Sequence, residues 1–358
     1  MDSRKFRLLV LNPGSTSTKI AVFDNDRELK KSTIKHPPGE IRKFRSIWEQ
    51  YDYRKQKVLD WIRENDYGLD EFDAVVSRGG TIKPVPSGIY LISMEMLEDM
   101  KSGRYGNHAC NIGCRINYDL GKELNIPSIT VDPPVTNELM EIATYTGLPQ
   151  IRRKASFHVL NQKAIARKLA ADLNKKYEDT DCIIVHLGGG ISVGTHSKGR
   201  ILDANNALDG DGPFSPERAG GLPAGDLIKL CFSGQHSEVE MLKMISGGGG
   251  LLAHLGTTDG LVIEERINNG DTKAKEVIEA MAYKVSREIG AASAALYGRV
   301  EAIALTGGLA HWGRLVGLIK ERIEFLAPVY VYPGEDEMKS LSQGALRYLR
   351  GEEKCKEY

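Results

Sequence analysis

Apolar and polar positions along this chain fall into two alternating rhythms. Phe6–Asn12 is an apolar run closed by Pro13-Gly14-Ser15-Thr16-Ser17, and short apolar runs bounded by turn residues predict strands. Thr18–Phe23 predicts a second strand, Asp24–Arg27 a hairpin turn, and Glu28–Ile34 a third strand. The same grammar returns downstream. Cys182–His186 and Ile191–Thr195 predict strands around the tight turn Gly188–Gly190, with Arg200–Ala204 after the turn at 196–199. Two strand–glycine-turn–strand units so far apart predict a duplicated domain rather than a short-period solenoid.

Helical spacing fills the intervals. Ile41, Phe44, Trp48, Tyr51, Val58 and Ile62 lie on one stripe, with Arg42, Lys43, Arg45 and Lys55 around a solvated face. Phe157–Leu173, Thr272–Leu296, Leu309–Phe325 and Lys339–Leu349 also carry the helical period. A strand, Glu301–Leu305, runs into Thr306-Gly307-Gly308, which opens the helix at Leu309. Strands alternating with helices and hairpins predict an α/β fold with mixed sheets in two domains. The boundary is expected near Pro149–Lys154. That gives an N-terminal domain of residues 1–153, completed by the C-terminal helix at 335–358, and a C-terminal domain of residues 154–334.

Composition narrows the function. The chain has 358 residues, 41% hydrophobic and 27% charged, enough to fill two cores. Lys+Arg and Asp+Glu balance at 48 each, so no net field favours nucleic acid or an anionic membrane, and neither is expected as a partner. The five cysteines form no C-x-x-C pair, and Cys110 and Cys114 read as buried helical thiols. The histidines do not cluster at zinc-ligand spacing. The apolar run after the N-terminus is too short for a signal peptide, and no stretch of ~18 apolar residues predicts a membrane helix. A cytoplasmic location is expected.

The glycine turns carry the candidate chemistry. Asn12-Pro13-Gly14-Ser15-Thr16-Ser17-Thr18-Lys19 can aim backbone N–H groups and hydroxyls at phosphate oxygens, with Lys19 adding charge. By itself such a turn is more often only a turn. His186-Leu187-Gly188-Gly189-Gly190 is more telling, since three glycines between strands give up packing where a ligand needs to approach the main chain. Thr306-Gly307-Gly308 follows a strand and opens a helix, a setting for a nucleotide. No G-x-x-x-x-G-K-[ST], strict G-x-G-x-x-G after the first strand, H-E-x-x-H or G-x-S-x-G occurs.

Together Val10–Lys19, His186–Gly190 and Phe214-Ser215-Pro216-Glu217-Arg218-Ala219-Gly220-Gly221-Leu222-Pro223 resemble the butyrate kinase branch of the acetokinases. These belong with actin, sugar kinases and heat-shock chaperone ATPase domains. The resemblance runs nearly end to end. It implies an actin-like fold of two domains with duplicated cores and an ATP cleft between them. It also implies transfer of the γ-phosphoryl of ATP to a short-chain carboxylate, giving an acyl phosphate and ADP with magnesium as cofactor. A homo-oligomer, dimer or larger, is expected.

By resemblance, Asn12, Ser15, Ser17 and Lys19 form the first phosphate loop, and His186 with Gly188, Gly189 and Gly190 meets the β- and γ-phosphates. Gly307 and Gly308 lie against the adenosine, and Ser246–Asp259 falls where nucleotide contacts are placed. Arg78 and Arg218 match the two active-site arginines. An acceptor carboxylate is ionised at neutral pH and needs no base, so guanidinium groups that bring two anions together suit the reaction. Asp132 matches the catalytic aspartate and would hold magnesium or orient a neighbour; without the family it reads equally as a turn-former before Pro133. His158 would donate to the phosphoryl group, and His108 is a weaker counterpart of an acceptor-site histidine. Glu337 is the expected magnesium contact, with Glu335 as the alternative. The first turn, with Pro13 and its threonines, and the Arg218 loop depart from acetate kinase. Alternatives are an acetate or propionate kinase, a sugar or polyol kinase using Asp132 as base, and an ATP-operated switch protein.

Overall fold

The computed structural model describes residues 4–154 and 156–358. The chain divides into two compact units, one running to Asn137 and resuming at Asp336, the other spanning Glu138–Glu335.

In unit 1, strands numbered along the chain are β1 (Arg7–Pro13), β2 (Ser17–Asp24), β3 (Arg27–Lys35), β4 (Ala74–Ser77), β5 (Ile89–Leu91) and β6 (Ser128–Val131); the last strand of the chain, β12 (Cys355–Lys356), joins them. The sheet order is β12-β5-β6-β4-β1-β2-β3. β1, β4 and β6 run parallel, with Val10 opposite Val76 and Val76 opposite Ile129, while β2 returns antiparallel to β1. Leu8 to Leu11 are all buried, because both faces of β1 are covered. Leu9, Leu11, Ile20, Val22 and Val75 pack against Ile112, Ile116 and Leu120 of the helix Cys110–Leu124, and against Val58, Trp61 and Ile62 of the helix Tyr51–Glu64. The helix Glu337–Leu349 packs on β1, β4 and β6, burying Met338, Leu341, Ala345 and Leu346. Cys110 and Cys114 are buried free thiols of the Cys110–Leu124 helix.

Unit 2 holds β7 (Cys182–Leu187), β8 (Ile191–Ser197), β9 (Arg200–Ala204), β10 (Ala302–Gly307) and β11 (Val329–Pro333), in the order β11-β10-β7-β8-β9. The antiparallel β7-β8-β9 run and the parallel β10 beside β7 repeat the β1-β2-β3 and β4 arrangement of unit 1. Ile183, Val185 and Leu187 face the helices Thr272–Ala295 and Gly313–Ile323. Cys182, Ile184, Ala302 and Ala304 face Ala166, Leu169 and Ala170 of the helix Val159–Asp172. Each unit is therefore a mixed sheet with helices on both faces, the α/β class expected.

Four expectations change, one being that the helix expected from Leu309 is a 3-10 turn at Gly308–His311 followed by the helix Gly313–Ile323. The stripe from Ile41 to Ile62 is not one helix but a turn at Pro38–Ile41, a bend, a 3-10 turn at Trp48–Gln50 and the helix Tyr51–Glu64. Ser46 and Glu49 restart it: Glu49 N–H donates to Ser46 Oγ and Arg45 N–H to the Glu49 carboxylate at 2.8 Å, local bonds that compete with helix propagation. The helix expected from Phe157 starts at Val159, with His158 as its N-cap residue. The boundary lies at 137/138 rather than 153/154, because Glu138 is committed to unit 2. Its carboxylate pairs with the buried Lys163 ammonium at 2.7 Å and accepts from Ile201 N–H, while Met140 N–H donates to Leu202 O. No helix among the described residues is long and apolar enough to cross a membrane.

The C-terminal helix sits unusually close to β6. A Cβ built on Gly344 would lie 2.4 Å from Val131 Cγ1, inside a stiff β-branched side chain. Gly344→Ala should therefore destabilise the fold by about 1–3 kcal/mol, overriding the ~1 kcal/mol that alanine gains over glycine in a helix. Urea unfolding measures this, and a neutral or stabilised variant would mean the helix is free to shift outward.

Candidate functional site

Within each unit, several of the residues singled out from the sequence lie at the C-terminal ends of parallel strands, where α/β sheets place ligands. In unit 1, Asn12 lies near the end of β1, Arg78 directly follows β4 and Asp132 directly follows β6. Glu337 opens the C-terminal helix, whose N-cap Asp336 accepts from Lys339 N–H at 3.1 Å. Three groups converge on the Glu337 carboxylate: Asn12 Nδ2 donates at 2.8 Å, Lys19 Nζ lies at 3.6 Å and Arg78 Nη1 at 3.3 Å. Two cations on one carboxylate leave this corner net positive.

Behind the first turn stands a residue that sequence reasoning missed. Arg54, 1% exposed, donates Nη1 to Gly14 O and Nη2 to Ser15 O, both at 2.9 Å, with Nε held by Gln50 Oε1. Burial lowers its pKa, yet a guanidinium keeps its charge. The turn's carbonyls are thus tied to a buried cation on one side. Ser15 on the turn is exposed and Ser17 half-buried. Beside it, Thr18 Oγ1 bonds His36 Nε2 at 2.9 Å, and burial, then Arg54 and Lys57, push the His36 pKa down to about 4.

Asp132 is 3% exposed and holds φ at 43°, a left-handed conformation costly for a residue preceding proline. Its Oδ1 accepts from Ser87 Oγ at 2.5 Å and Gly88 N–H at 2.9 Å. Strain kept in place by buried bonds fits a residue with a task beyond turn formation. His108 Nδ1 accepts from Cys110 N–H at 3.2 Å, and partial desolvation, then Arg78 and Arg54, lower its pKa.

In unit 2, His186 and the Gly188–Gly190 turn end β7. His186 Nδ1 meets Asn161 Oδ1 at 2.8 Å, and the ring stacks on His158 with centroids 3.7 Å apart. Burial, then the charge of His158, hold its pKa well below 6.5, so the 3.6 Å approach of Nε2 to Glu335 is not an ion pair. The Arg218 loop grips the glycine turn: Ser215 Oγ donates to Gly189 O at 2.6 Å, as does Glu217 N–H at 3.4 Å. Arg218 itself donates to Glu217, and its Nε is buried without a partner among the described residues. The stretch from Ser246 lies under this loop, with Gly247 N–H bonded to Glu217 O and Leu251 N–H to Ser215 O. Gly307 ends β10 with φ at 90°, and a Cβ there would lie 2.4 Å from Leu187 O. It is glycine because β10 passes that close to β7; a Cβ on Gly308 would meet open space.

Asn12, Lys19, Arg78 and Glu337 thus form one cluster in unit 1. His158, His186, the glycine turn and the Arg218 loop form another in unit 2. Glu335 belongs with His186, and Glu337 with the first turn. Arg54→Met should cost about 1–3 kcal/mol of unfolding free energy by leaving turn carbonyls unpaired, and should weaken binding of ATP, the ligand the resemblance implies. Urea unfolding and titration calorimetry measure both. Unchanged ATP affinity would mean the turn holds its shape unaided.

A model described as the acetokinase family matches residues 140–326, more than half of the chain. Among solved structures, a propionate kinase from Francisella tularensis subsp. tularensis superposes with a TM-score of 0.76 at 18% identity, covering 95% of this chain and 98% of that one. Acetate kinase from Porphyromonas gingivalis gives 0.77 at 19%, covering 96% and 100%. Acetate kinase from Entamoeba histolytica gives 0.77 at 15%, again covering 96% and 100%. At such identities the superpositions speak to the fold, which they share along nearly the whole chain. The family match reaches further, and the chain belongs to the acetokinase family, carboxylate kinases that use ATP and ADP.

Proposed function

We propose that this chain transfers the γ-phosphoryl of ATP directly and in line to a four-carbon acid, butyrate or a branched isomer, giving the acyl phosphate and ADP reversibly. The observation that carries the carboxylate acceptor is the net-positive cluster of Asn12, Lys19 and Arg78 around Glu337. Bringing one anion to another is the difficulty of this reaction, and fixed cations answer it. A sugar kinase needs a free carboxylate base near a hydroxyl, whereas Asp132 has Oδ1 committed to Ser87 and Gly88. The four-carbon preference is supported by the first turn, with Pro13, Thr16 and Thr18, and by the Phe214–Pro223 segment, which resemble the butyrate branch. Acetate and propionate kinases among the structural relatives keep the two- and three-carbon acids as the alternative.

Arg78, with His108, would bind the acceptor carboxylate, and Arg218 would spread over the oxygens of the moving phosphoryl group. His158 would donate to the same group, and Asp132 would orient its neighbours. Ser15, Ser17, Lys19 and the N–H groups of Gly188–Gly190 would bind phosphates, with Gly307 and Gly308 against the adenosine. Neutral His186 carries its proton toward Asn161, so its part is to brace the turn and the His158 ring.

Magnesium bound to nucleotide takes one or two carboxylates and completes its shell with water and phosphate oxygens, so it asks for no cluster of three protein ligands. Among the described residues no such cluster exists. Glu337 would supply the carboxylate, with Glu335 or Asp132 as the alternative. The ion, when bound, neutralises charge on the β- and γ-oxygens. We read the enzyme as cytoplasmic and homo-oligomeric, in keeping with its balanced charge and scattered cysteines.

With ATP, magnesium and hydroxylamine, kcat/KM should rise from acetate through propionate to butyrate or isobutyrate, by about fourfold per buried methylene, and fall for longer acids. Hydroxamate yield across the series is the readout. A maximum at acetate would move the chain to the acetate branch, and turnover only on polyols or sugars would sink the carboxylate reading. Arg78→Ala should lower kcat by about 100-fold while ATP affinity changes little. Equal losses in both would place Arg78 in nucleotide recognition instead.

A further inference from the structure

Every carbonyl of the first turn from Gly14 to Ser17 is already bonded within unit 1. Arg54 takes Gly14 O and Ser15 O, Thr16 O accepts from His36 N–H at 2.8 Å, and Ser17 O accepts from Gly14 N–H at 2.7 Å. The N–H groups of Ser15 and Thr16 have no partner among the described residues, and both residues are exposed. A turn whose oxygens are tied down keeps its N–H dipoles for an anion.

His36, just past β3, supplies one of those bonds from its main chain and adds another from its ring, whose Nε2 lies 2.9 Å from Thr18 Oγ1. The ring is 2% exposed and packs edge-on to Tyr53. Its Nδ1 is buried without a partner among the described residues, so the ring makes its one hydrogen bond there to Thr18. An unpaired buried ring nitrogen is costly, and an apolar side chain beside Tyr53 would avoid that cost. What the imidazole adds is the bond to Thr18. The ring is neutral, since burial, then Arg54 and Lys57, push its pKa down to about 4, so it brings no further charge behind the turn.

Thr18 is where that bond takes effect. It is buried while Lys19, next along β2, is exposed, because successive residues of a strand face opposite sides. Holding the Thr18 hydroxyl inward therefore keeps Lys19 outward, where its Nζ lies 3.6 Å from Glu337. Arg54 Nη1 approaches the same hydroxyl at 3.4 Å, which leaves His36 as the closer partner.

We infer that His36 is a positioning residue for phosphate binding: through Thr16 and Thr18 it fixes the first turn so that the Ser15 and Thr16 N–H groups and Lys19 face a polyphosphate. The inference rests on the reading of that turn as a phosphate loop.

Titration calorimetry of the full chain with ATP and with inorganic tripolyphosphate tests it. No acid is present, so the result is independent of the acceptor. His36→Leu keeps the main-chain bond but removes the ring nitrogen, and should weaken both ligands about fivefold. Thr18→Val cuts the same link from its other end and should do the same. The double variant should bind no more weakly than either single one, because the two share one bond. His36→Gln, whose amide stands near where Nε2 does, should recover most of the affinity. Unchanged affinity in His36→Leu, or losses that add in the double variant, would overturn the inference. Should His36→Leu not fold, Thr18→Val and amide NMR of the wild type decide. On adding tripolyphosphate the Ser15 and Thr16 amide signals should shift together, and signals that stay in place would overturn the inference. A wild type that binds neither ligand would overturn the phosphate-loop reading and the inference with it. The expected affinities in a protein that forms no acyl phosphate would support the inference and count against the carboxylate reading alone.

Discussion

Unit 1 depends on one carboxylate being in the right place. Glu337 is reached only after the chain has passed through all of unit 2, yet it holds Asn12 of β1, Lys19 of β2 and Arg78 just past β4. A carboxylate this sheltered is expensive without partners and tolerable with three donors. The converse also holds: without Glu337, Lys19 and Arg78 would repel each other across the mouth of the first turn. The helix that delivers it is set by the close approach of Gly344 to Val131, so a packing contact on β6 fixes an electrostatic one at β1 and β4. Fold and candidate site are coupled through that helix.

Each unit brings its polar groups to the ends of parallel strands and braces them from behind with buried polar side chains. Arg54 does this for the Gly14–Ser17 turn. Asn161 does it for His186, and the Ser215 hydroxyl for the Gly188–Gly190 turn. Bracing of this kind leaves the ligand-facing groups fixed in advance, so little ordering is left to the moment of binding. The positive φ of Asp132 belongs to the same logic, a strained backbone kept in place by Ser87 and Gly88.

The glycine turns and their flanking strands were legible because their information is local: glycines, hydroxyls and apolar runs within about ten residues of one another. Arg54 was not, because it sits in a basic helical stretch and only the phase of the helix turns it inward beside Val58. The boundary was misjudged because Glu138 looks like a loop acid until Lys163, 25 positions later, is seen to bury with it. β4, β5 and β6 are four residues or fewer, too short for periodicity to separate from buried loops. Glu335 and Glu337 were inseparable by spacing, whereas the structure assigns them to different units.

The central claim is that an oxygen of the acceptor carboxylate attacks the γ-phosphorus supplied by ATP, so that the acid provides the bridging oxygen of the acyl phosphate. Phosphorus NMR of the product made from ATP and butyrate labelled with oxygen-18 in its carboxylate tests this most directly. One heavy oxygen should lie in the bridge between acyl carbon and phosphorus, with ADP formed in equal amount. Butyrate recovered unphosphorylated while ATP is hydrolysed, or a label absent from the bridge, would contradict the account.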